Sequence, residues 1–202
     1  EIDSDSFSLI DIPVHEKYIY RAFLVKSKLY LWDESNCLYS YDTNYYHKTL
    51  VCDMSNIISK NSVLTSIEEI ADGVLLSFIG EGTFKIRSDN QEVEHLVEDV
   101  GVFAMASDKR QPIVWICTDG GGVRIYNSNE SQFKQILSSQ ISKQINKPIR
   151  ALYSDKYNRL WIGTKGNGIV RVKNYELYAN GTDINPSDIE TLGVSDGLLD
   201  DQ

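Results

Sequence analysis

Basic runs, paired metal-ligand motifs and membrane-length apolar stretches are all missing from this 202-residue chain. Its 20 Lys and Arg stand against 29 Asp and Glu, a formal charge of −9. Such a field repels phosphate backbones and anionic lipid surfaces, so no nucleic-acid partner is expected in this region. The apolar stretches are strand-sized and fall well short of the roughly 20 residues that cross a bilayer. The opening "EIDSDSFSLIDIP" lacks the basic-then-apolar layout of an export signal. Three cysteines, Cys37, Cys52 and Cys117, cannot close a disulfide framework among themselves, and none sits in a CxxC. They read as small buried hydrophobes. His15, His47 and His95 lie far apart and lack the HxxxH or HExxH spacing that sets two ligands on one helical face. Neither a metal site nor a cofactor is expected.

What is present is an ordinary globular composition, 42% hydrophobic and 24% charged, enough to bury a core. It is arranged as a repeat. "VWICTDGGGVRIYN" from Val114 and "LWIGTKGNGIVRVKN" from Leu160 superimpose with Trp115 on Trp161, Gly122 on Gly168 and Val123 on Ile169, an offset of 46. "VLLSFIGEGTFKIR" fits the same template 40 residues earlier, with Leu75 for Trp and Gly82 for the glycine. "LYLWDESNCLYSY" fits it a further 45 residues upstream, with Tyr30 for Trp, Leu38 for Val123 and Asp33 at the strand end held by Ser77, Cys117 and Gly163. Units of about 40 to 46 residues match the length of a four-stranded propeller blade.

Within a unit the period is two. "IRALYSD", "LWIGT" and "IVRVK" read as strands separated by the turns "KYNR" and "KGNG". The preceding copy runs "VFAMASD", "VWICT", "VRIYN" and "QFKQIL", with Pro112 in a turn where it removes no ladder bond. Glycine supplies the positive φ of the tight turns, and Gly122 and Gly168 are placed where a neighbouring backbone comes close. Trp115 and Trp161 offer large apolar faces for packing between adjacent sheets. The reading is therefore all-β: about four four-stranded antiparallel blades at residues 18–52, 63–99, 100–137 and 149–192. Residues 1–13 read as the closing outer strand of another blade and 193–202 as the lead-in to a next one, a fragment whose open strand edges need partners. Closure as a four-bladed ring is the structural rival.

"LWIGTKGNGIVRV", "VWICTDGGGVRIY" and "GVSDGL" at 193–198 resemble the two-component regulator propeller repeat. Leu75 and Tyr30 depart from its Trp. The resemblance implies a piece of a seven-bladed propeller in the periplasmic sensor region of a hybrid two-component protein, with a downstream membrane helix and histidine kinase. It implies an oligosaccharide ligand, signalling to polysaccharide-utilisation genes, and a homodimer completed by the remaining blades. The chain itself carries no kinase motif, and no catalytic residue is assigned.

In such a blade the turns between second and third strands share a rim with the connections between blades. Those turns are Gly80 to Gly82, Asp119 to Gly121 and Lys165 to Asn167; the connections hold Lys60, Asn61, Asn146, Lys147 and Arg150. Fork-like cations and amides suit sugar hydroxyls and carboxylates. Arg150, Lys165, Asn167, Asp119 and Asn146 are the candidate ligand-binding residues. "NYYHKT" places Tyr45, Tyr46 and His47 in a turn. Enzyme readings fare worse. "GTKGNG" is followed by a strand where a phosphate-cradling loop opens a helix, "SDKYNRLW" is a structural box, and Glu68, Glu69, Glu81 and Asp119 read as solvated carboxylates with no facing pair. A protein-interaction scaffold and a propeller glycosidase or lyase are the alternatives to a sensor.

Overall fold

The computed structural model describes residues 18–42, 47–98, 100–108, 110–129, 132–136, 147–178 and 184–200. The closing strand expected at 1–13, the turn residues Tyr45 and Tyr46, and Asn146 lie outside them. Among the described residues sixteen strands form four sheets of four, every one antiparallel and in chain order. The first sheet is β1 (Ile19–Val25), β2 (Lys28–Asp33), β3 (Cys37–Asp42) and β4 (His47–Asp53). The second is β5 (Val63–Ile70), β6 (Gly73–Ile79), β7 (Gly82–Arg87) and β8 (Val93–Val97). The third is β9 (Val102–Ser107), β10 (Ile113–Thr118), β11 (Val123–Asn127) and β12 (Gln132–Ile136). The fourth is β13 (Ile149–Ser154), β14 (Arg159–Thr164), β15 (Ile169–Lys173) and β16 (Ile189–Leu192). His47, expected in a turn, begins β4 and is exposed. These are propeller blades, laid side by side with β1, β5, β9 and β13 as neighbouring inner strands.

The core is divided among the seams between blades. Tyr30, Trp32 and Leu38 of the first blade pack on Leu64, Leu76, Phe78 and Phe84 of the second. Leu75 of the second meets Val102, Val114, Ile116 and Tyr126 of the third. Trp115 and Ile125 of the third lie against Leu160, Ile162 and Val172 of the fourth. Period-two alternation is what allows this, since one set of side chains serves the preceding blade and the other the following one. Tyr30, Leu75 and Trp115 occupy the same place in β2, β6 and β10 and are 2%, 0% and 1% exposed. Trp115 also meets the Tyr175 ring edge-on at 5.2 Å. The register corrects one sequence match: Trp32, not Asp33, corresponds to Cys117 and Gly163, because Asp33 pairs with Ile19 as Thr164 pairs with Ile149.

The seam expected at Trp161 has one side only among the described residues. Trp161 holds the same register as Trp115 yet is only half-buried, and no further sheet among those residues covers it. Arg159 and Arg171 flank its ring instead, each guanidinium 5.1 Å from the centroid. Its Nε1–H donates to Asp155 Oδ2 at 2.8 Å.

Polar bonds lock the seams that the apolar contacts form. Tyr30 donates its phenol to Glu69 Oε1 at 2.7 Å, where Lys26 and Lys28 also converge at 3.3 and 3.5 Å. Glu68, facing the other way from β5, accepts from Ser107 of the third blade. Lys85, fully buried, bonds Asp72 at 2.6 Å and the Tyr126 hydroxyl at 3.1 Å. Burial alone would lower the Lys85 ammonium, but those two partners outweigh it and its pKa rises. Tyr175 donates to Asp108, and Arg110 reaches Glu176 at 2.6 Å.

The glycine turns behave as their sequence demands. Gly80, Gly82, Gly120, Gly122, Gly166 and Gly168 all have φ between 64° and 98°. Thr118 and Thr164 close the last two turns, each donating its hydroxyl to the carbonyl of Gly122 or Gly168, at 2.6 and 2.9 Å. A Cβ at Gly168 would run into the Leu192 carbonyl, as expected of a close approach. At Gly122 the φ of 75° favours glycine, and the described residues place nothing near such a Cβ.

Candidate functional site

The turns and the connections between blades do meet on one rim. Lys165 N–H donates to the Pro148 carbonyl at 2.9 Å, and Asp119 N–H to the Gly101 carbonyl at 2.8 Å, one blade earlier. One blade earlier again, the Glu81 carboxylate takes Ser59 N–H at 3.0 Å and the Ser62 hydroxyl at 2.9 Å. These donors, Ser59 first, hold the Glu81 carboxyl below its ordinary pKa. Glu81 is thus a clamp between turn and connection, not the solvated carboxylate its sequence suggested.

On this rim the fourth blade presents a cleft of about 670 Å³ lined by Arg150, Lys165, Thr164, Ile169 and Leu199, with Asp200 also on its wall. Arg150 and Lys165 are therefore brought together. Asn167 is built into the adjoining turn, where its N–H donates to Thr164 Oγ1 at 3.0 Å. Asp119 is exposed on the preceding blade and does not line the cleft. A second cleft of about 300 Å³ lies on the first blade, where Tyr20, Arg21, Lys60 and Asn61 converge. Tyr20 is 66% exposed.

Sequence reading missed Tyr20 and Phe103, and the signal that finds them is a break in strand pairing. Each inner strand skips one residue in its ladder with the second strand: between Ile19 and Arg21, Leu64 and Ser66, Val102 and Ala104, and Ile149 and Ala151. The skipped residues are Tyr20, Thr65, Phe103 and Arg150. Bulges of this kind re-aim a side chain away from the sheet faces. At this level Thr65 Oγ1 reaches the Val102 carbonyl at 2.7 Å, and the Arg150 guanidinium lies 3.8 Å above the Phe103 ring.

The opposite end of the inner strands carries an open cleft of about 690 Å³ lined by Leu24, Lys26, Glu68, Glu69 and Ser107. Neither Glu68 nor Glu69 is simply solvated. Burial pushes the Glu68 carboxyl up despite its bond from Ser107. Burial acts the same way on Glu69, but Tyr30, Lys26 and Lys28 prevail and bring it below its usual value. The two acids bond into different seams, Glu68 to Ser107 of the third blade and Glu69 to Tyr30 of the first, while both line this cleft. Among the described residues no cluster of three or more His, Cys, Asp or Glu is placed to hold a metal. All three cysteines are buried, and none forms a disulfide among the described residues. No helix among those residues is long and apolar enough to cross a membrane.

Residues 143–166 match the model of the two component regulator propeller family, across the connection into β13, β14 and the turn holding Lys165. No curated protein matches the chain significantly. Among solved structures, the chain is similar to the extracellular domain assigned to a one component system, BT4673, of B. thetaiotaomicron: 22% identity, TM-score 0.59, over 85% of this chain and 22% of that one. It is also similar to the extracellular domain assigned to a hybrid two component system, BT3049, of the same organism: 17% identity, TM-score 0.54, over 91% and 30%. The chain thus spans less than a third of either. The WD40 repeats of RRP9 superimpose with TM-score 0.64 at 9% identity, over 91% of this chain and 53% of that one. These likenesses establish a propeller fold.

Proposed function

We propose that the chain is part of an extracytoplasmic sensor propeller that binds an oligosaccharide on the glycine-turn rim and performs no chemistry of its own. The observation that carries this reading is the regulator-propeller match at residues 143–166, which falls on the strands and turn that position Arg150 and Lys165. Two resembling structures are extracellular domains assigned to bacterial signalling systems. The rim supplies cations, an amide and an exposed aromatic ring, the groups that meet sugar hydroxyls and faces. Glu68, Glu69 and Glu81 are spent on structure, which speaks against a glycosidase or lyase.

In the parent protein, further blades cover the Trp161 face, and a membrane helix leads from the periplasm to a histidine kinase that switches on polysaccharide-utilisation genes. Signalling then requires that ligand favour one arrangement of the homodimer over another, since binding both equally would shift nothing. Calorimetric titration of the chain with a panel of plant and host oligosaccharides tests the reading. Binding of at least one member, weakened by Lys165→Ala, is the expected result. Silence across the panel would favour a protein-interaction scaffold, and release of shortened sugars would restore an enzyme.

A further inference from the structure

The four bulge residues differ in chemistry along the chain, from Tyr20 through Thr65 and Phe103 to Arg150. The charge of the adjoining turns changes with them. Glu34 and Asp119 head the turns of the first and third blades and Glu81 sits inside that of the second, whereas Lys165 heads that of the fourth. A chain of net charge −9 thus gathers two cations on one cleft of its rim. One of them is oriented and unspent. Arg87, Arg110, Arg159 and Arg171 are each neutralised by a carboxylate, whereas Arg150 has no carboxylate partner among the described residues. Its guanidinium is held instead by the Phe103 ring at 3.8 Å.

Stacking on an aromatic face fixes the plane of the guanidinium and leaves its edge N–H groups free to donate in parallel, the geometry that matches a carboxylate. We propose that the oligosaccharide read by this rim is acidic, and that a uronate carboxylate binds the edge of Arg150 with Lys165 as the second cation. This rests on the rim-binding reading above and narrows it to a ligand class. Phe103 is a positioning residue, acting through Arg150. Asp200 lines the same cleft beside the two cations.

The test pairs uronate oligosaccharides (galacturonate, guluronate and glucuronate-containing) with their methyl esters, which keep ring and hydroxyls but lose the charge. Each is titrated against the chain and against Arg150→Gln, Arg150→Lys and Phe103→Leu, with thermal melts confirming that the variants fold. At least one acid is expected to bind tenfold or more tighter than its ester. That preference should fall to within twofold in Arg150→Gln, be partly kept in Arg150→Lys, and weaken in Phe103→Leu. Esters and neutral sugars binding as well as the acids, or an acid preference that survives Arg150→Gln, would overturn the proposal and leave rim binding standing. Silence from acids and esters alike, and from neutral oligosaccharides, would remove both.

Discussion

Asp108 and Asp155 stand at the same register, just past β9 and β13, and each accepts backbone N–H groups of the following turn. Their remaining oxygens differ in use. Asp108 takes the Tyr175 phenol from the next blade, whereas Asp155 takes Arg159 Nε at 2.6 Å and Trp161 Nε1 within its own. Burial pulls the Asp155 carboxyl upward, but the bonds from Trp161, Arg159 and the turn backbone prevail and bring it to about 2. Because the folded value lies below the unfolded one of about 3.9, its contribution to stability is complete above pH ~4 and lost as pH falls through about 2. Urea unfolding followed between pH 5 and 2 should therefore show a shallower acid decline in Asp155→Asn than in the parent chain. The thiols offer a second check at this scale. Cys52 and Cys117 are pushed upward by burial, Cys52 to about 12, so a thiol reagent at pH 8 should leave both unmodified until denaturant is added.

At the scale of the element, the turn glycines separate two effects that composition alone merges. Gly82 and Gly168 combine positive φ with a neighbouring carbonyl where a Cβ would stand, Val97 and Leu192 respectively. Gly120 and Gly166 have the same φ sign and open space. Alanine at Gly166 should cost roughly 1 to 2 kcal/mol, the strain of a left-handed residue. Alanine at Gly168 should cost clearly more, because β15 and β16 must also part; chemical denaturation of the two variants gives the comparison. The turns themselves were legible because "DGGG" and "KGNG" break period-two alternation with residues that tolerate positive φ. The bulges were not. A skipped residue is a property of two strands in register, and nothing in "VFAMASD" or "IRALYSD" alone marks Phe103 or Arg150 as the one displaced. Arg150 was found through its place in a connection, and Phe103, read as one more apolar strand residue, was missed. Glu68 and Glu69 were misread for a related reason: alternation told which way each points, but not that a phenol and a serine from two other blades wait there.

For the whole molecule the decisive quantity is which faces a further sheet covers. Trp115 is sealed between two blades, and its replacement by Ala should destabilise by about 3 to 5 kcal/mol, the range for an emptied aromatic site. Trp161→Ala should cost under half as much, since one face of its ring already meets guanidinium groups and solvent. Equilibrium unfolding in urea would rank them, and equal losses would mean that Trp161 is covered as fully as Trp115. The repeat period disclosed the equivalence of these two residues, but equivalence of register is not equivalence of burial; that depends on what stands beside the blade.

Division of the core into seams has a kinetic corollary. The principal contacts join successive sheets, β1 with β5, β5 and β6 with β9, and β9 and β10 with β13. A disturbance at one end must be handed along like a parcel between neighbours, and each handover can slip. Amide exchange should thus record protection that varies seam by seam, with the Lys85–Tyr126 joint, whose ammonium is buried and doubly bonded to Asp72 and Tyr126, the slowest to let go.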